Sequence, residues 1–243
     1  MEKEYCEGNW TQLAKKDYRH LTKIEPQITD VRCLSEEHWK FLLETATLMA
    51  DDDLRNERNL FLIAALKTLF LTISEFSERP GWIPVMGHFW EDDDNNWWLK
   101  IYGKSRKIRD ITVPSSFIPY LKRYRLYRGM SSMPLKGENH IIIKKLYGSG
   151  SMQTRQLSLL VHDVFEQSYK RMRNQKGEEV AYKFKEASAL WLRHTGASLE
   201  VKRGRPIKDL SKDLGHSNIG FTDTVYVPPE DKRSAKTGKN RPV

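Results

Sequence analysis

The chain has 243 residues, a length that fits one large domain with short appendages. Hydrophobic residues make up 39% of it and aromatic residues 11%, which suffices for a buried core and excludes a fully disordered chain. Two cysteines exclude a secreted disulfide-rich fold and favour a cytoplasmic compartment. The longest apolar run, residues 60–73, contains Lys67 and is too short to span a bilayer, so no membrane partner is expected. The formal net charge of +9 indicates a polyanionic partner, with nucleic acid the first candidate.

The N-terminal part predicts a polar arm followed by two helices. Residues 1–30 are mixed and polar, which is typical of an arm or linker. Ser35 is a capping residue followed by two acidic residues, and apolar residues then recur at helical spacing. The acidic run 51–53 ends this first helix, and a second, largely apolar helix is predicted over 54–76.

The central part predicts a β-hairpin with a basic tip. Residues 97–102 and 108–113 have strand composition, and the basic segment 103–107 forms the turn between them. A further short strand is predicted over 140–143. The hairpin and this strand are the predicted β-structure.

The remaining segments predict helices and a basic tail. The helices are expected over 114–128, 154–174, 180–201, 206–215 and 222–226. Pro206 is a favourable first helical residue, and Gly215 ends that helix. From Pro228 the chain holds little to bury, so residues 228–243 are expected to be a mobile tail. The fold class is therefore α+β, mainly α, with a small antiparallel sheet.

A stripe of basic residues among aromatic ones predicts contact with duplex DNA. Such residues most often form a solvated face, but together with the basic hairpin tip they favour a DNA-facing surface. The predicted DNA-binding residues are Arg106, Lys107, Lys122, Arg123 and Arg125.

Four stretches, taken in order, resemble the catalytic domain of the tyrosine recombinases, the phage-integrase family. They are LTISEF at 71–76, GKSRKIR at 103–109, LWLRHTGA at 190–197, and LGH at 214–216, with Tyr226 ten residues beyond the last. The combination in this order is far more specific than any single stretch.

Over residues 31–227 the resemblance implies DNA strand cutting and rejoining through a 3′-phosphotyrosyl intermediate. It implies that Tyr226 is the nucleophile, that Arg193 and His216 bind the phosphate, and that Lys104 protonates the leaving 5′-oxygen. Arginine matches phosphate geometry and stays charged, while lysine and histidine can transfer or hold protons. Double-stranded DNA is the implied partner, and no cofactor or metal is implied.

Two positions depart from the family pattern. Thr72 stands where the family has its first arginine, and Leu190 stands where it has a histidine three residues before the second arginine. We expect both side chains to pack and fill the pocket, which leaves catalysis impaired. His194 follows Arg193 as it commonly does in the family, but it is not a core catalytic position.

Other interpretations follow from the length and from the degenerate motif. The family usually carries an upstream helical DNA-binding domain, which residues 1–30 are too few to form, so we expect a truncated recombinase. Alternatives are an active subunit completed by other protomers in a tetramer, and a non-catalytic nucleic-acid-binding module. The glycines of 148–150 lack the Lys-Ser/Thr of a phosphate-binding loop, so a nucleotide cofactor is not expected. The acidic runs lack suitably spaced histidines, which argues against a metal.

Overall fold

The computed structural model describes residues 32–51, 53–103, 107–216 and 219–226. The predicted arm 1–30, the tail 228–243, Lys104 and Arg106 lie outside these residues, and the domain boundaries stay a prediction. In chain order the elements are α1 (Glu36–Met49), α2 (Leu54–Thr68), β1 (Phe89–Glu91), β2 (Trp97–Tyr102), β3 (Ile108–Val113), α3 (Ile118–Tyr127), α4 (Thr154–Lys176), α5 (Glu178–Ala181), α6 (Lys183–Glu186), α7 (Ala189–Lys202), α8 (Ile207–Leu214) and α9 (Ile219–Tyr226).

Helix α2 is the centre of the molecule. It packs against α1, α3, α4 and α7, and its residues 57–66 are buried on every face. Asp53 caps its first turn by accepting a hydrogen bond from the Arg55 amide. The prediction that this helix runs to residue 76 is wrong, because Phe70 adopts a left-handed conformation with φ of 52° and breaks the helix. A short 3₁₀ turn, Ile73–Glu75, follows the break.

The sheet has three antiparallel strands in the order β1-β2-β3. Strands β2 and β3 form the predicted hairpin, with Leu99 opposite Ile111, and both of these side chains are fully buried. Strand β1 escaped sequence analysis because its three residues are too few to show an alternating pattern. Strand β3 contacts helix α8, and the start of β3 lies next to the end of that helix.

Four other expectations need correction. Residues 140–143 form no strand; one isolated bridge joins Ile141 to Val85. The helix predicted over 180–201 is divided into α5, α6 and α7, because the chain turns at Tyr182 and is extended at Ala187 and Ser188. Pro206 is the N-cap residue of α8, and the first helical residue is Ile207. Helix α9 begins at Ile219, three residues earlier than expected.

The expected fold class, mainly α with a small antiparallel sheet, is confirmed. Within the described residues, no helix combines the length and the apolar character that crossing a membrane requires.

Candidate active site

Segments that are distant in sequence converge around one face of α7. They are the loop after α2, the first residues of β3, the turn after α8, and helix α9. The groups that meet there are Phe70, Glu75, Arg109, Arg193, His194, Leu214, His216 and Tyr226.

Arg193 is buried and joins two of these segments. Its Nη1 donates to the Phe70 carbonyl at 2.6 Å, and its Nη2 donates to the Leu214 carbonyl at 2.6 Å. The Glu75 carboxylate lies 3.9 Å from Nη1, beyond hydrogen-bond distance. Burial lowers the pKa of Arg193, but a guanidinium group remains charged at any physiological pH. Because arginine carries five N–H donors, the side chain retains donors that a phosphate can use.

Helix α7 packs closely against α2 because residue 196 is a glycine, which has no Cβ atom. A Cβ atom at Gly196 would lie 2.1 Å from the Lys67 carbonyl oxygen and 3.0 Å from the Phe70 ring. The preceding residue, Thr195, is also buried and accepts a hydrogen bond from the Leu34 amide at 2.9 Å. The residues that follow the motif arginine therefore fix its helix against α2.

Tyr226 lies at the end of α9 with its ring buried in a small apolar cluster. The cluster contains Phe70, Leu210 and Leu214, and it leaves 9% of Tyr226 exposed. Burial raises the pKa of Tyr226 to about 12, against the opposing effect of the nearby Arg193. The hydroxyl is 2.8 Å from His194 Nδ1. At neutral pH the nucleophile candidate is therefore a protonated phenol.

His216 follows the turn that ends α8. Gly215 takes the left-handed conformation, with φ of 70°, and ends the helix. The imidazole Nδ1 lies 2.7 Å from Thr222 Oγ1, which joins the turn to α9. Burial, together with Arg193 and Arg109, lowers the pKa of His216 to about 4, so the ring is neutral at pH 7.

Glu75 and Arg109 form a partly buried ion pair near Arg193. Glu75 accepts hydrogen bonds from the Thr72 amide at 2.7 Å, from the Thr72 hydroxyl at 2.9 Å, and from Arg109 Nη2 at 2.9 Å. The guanidinium of Arg109 fits because Gly103 and Gly215 lack side chains; a Cβ on Gly215 would lie 2.6 Å from Arg109 Cζ. Sequence analysis did not single out Arg109, although it closes the GKSRKIR stretch.

Comparison with known proteins finds recombinases that are similar in sequence or in fold. Over 131 residues, 53% of this chain, the sequence is 32% identical to the tyrosine recombinase XerC-like protein of Caldanaerobacter subterraneus subsp. tengcongensis. The fold matches the XerH site-specific recombinase bound to difH substrate over 89% of this chain, with a TM-score of 0.56 and 17% identity. It matches the XerA recombinase over 87% of this chain, with a TM-score of 0.58 and 17% identity.

The fold is that of a tyrosine recombinase catalytic domain. The resemblance predicted from the four motif stretches is thereby confirmed. The matched region is 31% of the curated relative, and this chain covers 56% of the XerH chain and 66% of the XerA chain. No protein-family model matches the sequence.

In this tyrosine recombinase fold, the two substituted positions border an open cleft beside the site. Thr72 and Leu190 both line a cavity of about 460 Å³, together with residues such as Ser74, His162 and Ser188. Leu190 is 47% exposed, whereas Arg193, on the same helix, is 8% exposed. The expectation that these two side chains fill the pocket is therefore wrong. They leave space where the family has an arginine and a histidine.

The predicted DNA-binding residues divide into exposed and internally paired ones. Lys107 and Lys122 are exposed. Arg123 is partly exposed, but its guanidinium binds the buried Glu57 through both Nε and Nη2. Arg125 is completely buried, so assigning it to the DNA-facing surface is wrong. Its charge serves an internal ion pair, which the basic run in the sequence does not reveal.

Among the described residues, the histidine, cysteine, aspartate and glutamate side chains form no group of three that could hold an ion. Asp92, in one of the acidic runs, instead accepts hydrogen bonds from neighbouring residues, including Trp98 Nε1 at 2.7 Å.

Proposed function

We propose that this chain binds double-stranded DNA and cleaves and rejoins it weakly, through a covalent bond between Tyr226 and a 3′-phosphate. The observation that carries the proposal is the convergence of Arg193, His216 and Tyr226 on one buried centre. Solved relatives of the same fold, XerH and the Tn1549 integrase, are recorded in complex with DNA.

The proposed chemistry follows from the groups at this centre. Arg193 retains donors for a non-bridging phosphate oxygen, and charge-assisted bonds of this kind stabilise the charge that develops on phosphorus. His216 is neutral and carries one N–H that can serve the same oxygens. Lys104 is the proposed general acid for the leaving 5′-oxygen. The exposed Lys107 and Lys122, together with Arg106, are proposed to contact the DNA backbone.

The proposed impairment follows from the two substituted positions, Thr72 and Leu190, which line the same cleft. Thr72 provides a hydroxyl that is already bound to Glu75, and Leu190 provides no donor at all. Loss of one donor to a developing charge typically reduces the rate by about 10²–10³. We therefore expect cleavage to be far slower than in a recombinase with the complete set.

The test begins with a binding site selected from a randomised pool of DNA duplexes. A duplex nicked next to that site traps the covalent intermediate, which denaturing gels quantify and mass spectrometry assigns to a residue. We expect a slow adduct on Tyr226 that Tyr226→Phe abolishes. Thr72→Arg with Leu190→His should accelerate adduct formation at least tenfold. A wild-type rate that the double change does not increase would contradict the proposed impairment.

A second candidate function is a non-catalytic DNA-binding module. The observation that favours it is that Arg193 donates to two main-chain carbonyls, as a structural arginine does. This candidate predicts salt-dependent binding that survives Tyr226→Phe, and no adduct from either the wild type or the restored double variant. Assembly with further protomers on DNA stays a prediction, which light scattering of the complex can test.

A further inference from the structure

His194 makes a contact that the proposed function has not used. Its Nδ1 lies 2.8 Å from the hydroxyl of Tyr226, and the two rings are 5.8 Å apart between centroids. The two residues come from different helices, α7 and α9, and are 32 positions apart. A tyrosine hydroxyl needs a base to become a nucleophile, and no imidazole is available from position 190.

The direction of this hydrogen bond follows from the charge beside it. The Arg193 guanidinium lies near the Tyr226 hydroxyl, and its charge opposes the rise in the pKa of the phenol. A cation attracts the lone pairs of the phenolic oxygen, which favours the orientation in which the hydroxyl proton points away from the cation. The hydroxyl proton then faces His194 Nδ1, which lies 2.8 Å away.

The state of the ring supports this direction. Burial and the charge of Arg193 lower the pKa of His194 to about 4, whereas burial raises the pKa of Tyr226 to about 12. At pH 7 the imidazole is therefore neutral and the phenol retains its proton. One ring nitrogen of a neutral imidazole is an acceptor, and in the tautomer that accepts the phenolic proton this nitrogen is Nδ1.

We propose that His194 is the general base of the reaction and that its Nδ1 takes the proton which the Tyr226 hydroxyl loses on attack. The Oη–P bond forms as the P–O5′ bond breaks, the phenolic proton passes to Nδ1, and O5′ takes a proton from the Lys104 ammonium. The bound phosphate provides the negative charge that stabilises the resulting imidazolium next to Arg193. This inference rests on the proposed function, because it assigns a role within the same site.

The first test needs no DNA. In protein labelled with ¹⁵N-histidine, NMR at pH 7 should show His194 with Nδ1 unprotonated and Nε2 protonated. Tyr226→Phe should shift the Nδ1 resonance, whereas His140→Asn, a change at an exposed histidine, should not. A proton on Nδ1 in the wild type would overturn the proposal.

The second test separates a base from a structural partner. His194→Asn places an amide oxygen near the position of Nδ1, so it can accept the hydrogen bond but cannot take the proton. General-base catalysis is worth about 10²–10⁴ in rate, so adduct formation on the nicked duplex should fall at least a hundredfold. DNA affinity and thermal stability should stay close to those of the wild type. A rate for His194→Asn equal to the wild-type rate would overturn the proposal.

The third test separates the base from the acid. A duplex with a bridging 5′-phosphorothiolate has a thiolate leaving group that needs no proton, so it should restore Lys104→Ala but leave His194→Asn slow. Recovery of His194→Asn on this substrate would place His194 at the leaving group and overturn the proposal. If the wild type forms no Tyr226 adduct on either substrate, the proposed function fails, and this inference with it. If the wild type forms the Tyr226 adduct but His194→Asn forms it equally fast, this inference fails and the proposed function stands.

Discussion

Two buried arginines in this fold, Arg193 and Arg125, have opposite surroundings. Arg125 donates to both oxygens of Glu138 at 3.0 and 2.9 Å and to the main chain of Ser131 and Met133, so its charge is neutralised within the fold. Arg193 has only neutral carbonyls at hydrogen-bond distance, with the Glu75 carboxylate 3.9 Å away. A buried guanidinium that lacks a direct carboxylate partner is suited to an anionic ligand, as proposed for Arg193, whereas the paired Arg125 is suited to a structural role.

The largest effect on activity is expected from Arg193→Lys. The lysine retains the charge but cannot bond Phe70, Leu214 and a phosphate together, because it lacks the planar fork of arginine. The adduct rate on the nicked duplex should fall by about 10³ or more. Single-turnover gels measure this rate, and an unchanged value would show that Arg193 is as structural as Arg125.

The largest effect on stability is expected from Arg125→Ala. It leaves the Glu138 carboxylate, 9% exposed, without its arginine partner, and breaking a buried ion pair in this way typically costs about 3–5 kcal/mol of unfolding free energy. Urea denaturation followed by circular dichroism measures the loss. Replacing both residues with apolar ones should recover much of it. If Arg125→Ala unfolds at the wild-type midpoint, the two arginines do not differ as described.

A smaller effect is expected from Gly196→Ala. The added methyl group would overlap the Lys67 carbonyl, and overpacking of this kind costs about 1–3 kcal/mol. Because α7 must then move away from α2, the adduct rate should fall as well. Lys170→Ala, at an exposed position of α4, serves as the control for a neutral helix substitution. Equal melting temperatures for the two variants would contradict the close approach of α7 to α2.

Near neutral pH, the smallest effect is a dependence of stability on pH. The pKa values of His194 and His216 are about 4 in the folded chain, below the ordinary value of 6.5, so the unfolded chain binds more protons between these limits. The free energy of unfolding should therefore decrease as pH falls from 6.5 towards 4. His194→Asn should flatten this dependence, and a slope identical to that of the wild type would contradict the burial of this ring.

The sequence predicted the fold class and most elements, because apolar spacing and capping residues such as Ser35 act locally. It could not locate the break at Phe70, because the apolar run continues through it. It also could not distinguish Arg125 from a surface cation, since Glu138, its partner, lies beyond the end of the helix. Motif resemblance led to Arg193, His216 and Tyr226, which the structure brings to one centre. Arg109 and the contact of His194 with Tyr226 depend on tertiary packing that no local pattern encodes.

The two main-chain bonds of Arg193 have a consequence for how the site is assembled. One carbonyl belongs to the left-handed Phe70, which precedes the 3₁₀ turn, and the other belongs to Leu214, the last residue of α8. The guanidinium therefore links an early and a late segment of the polypeptide through two hydrogen bonds. In a nascent chain whose last helices have not yet been synthesised, Arg193 can bond the Phe70 carbonyl but the Leu214 carbonyl is still missing. The geometry of the candidate site is thus coupled to completion of the fold.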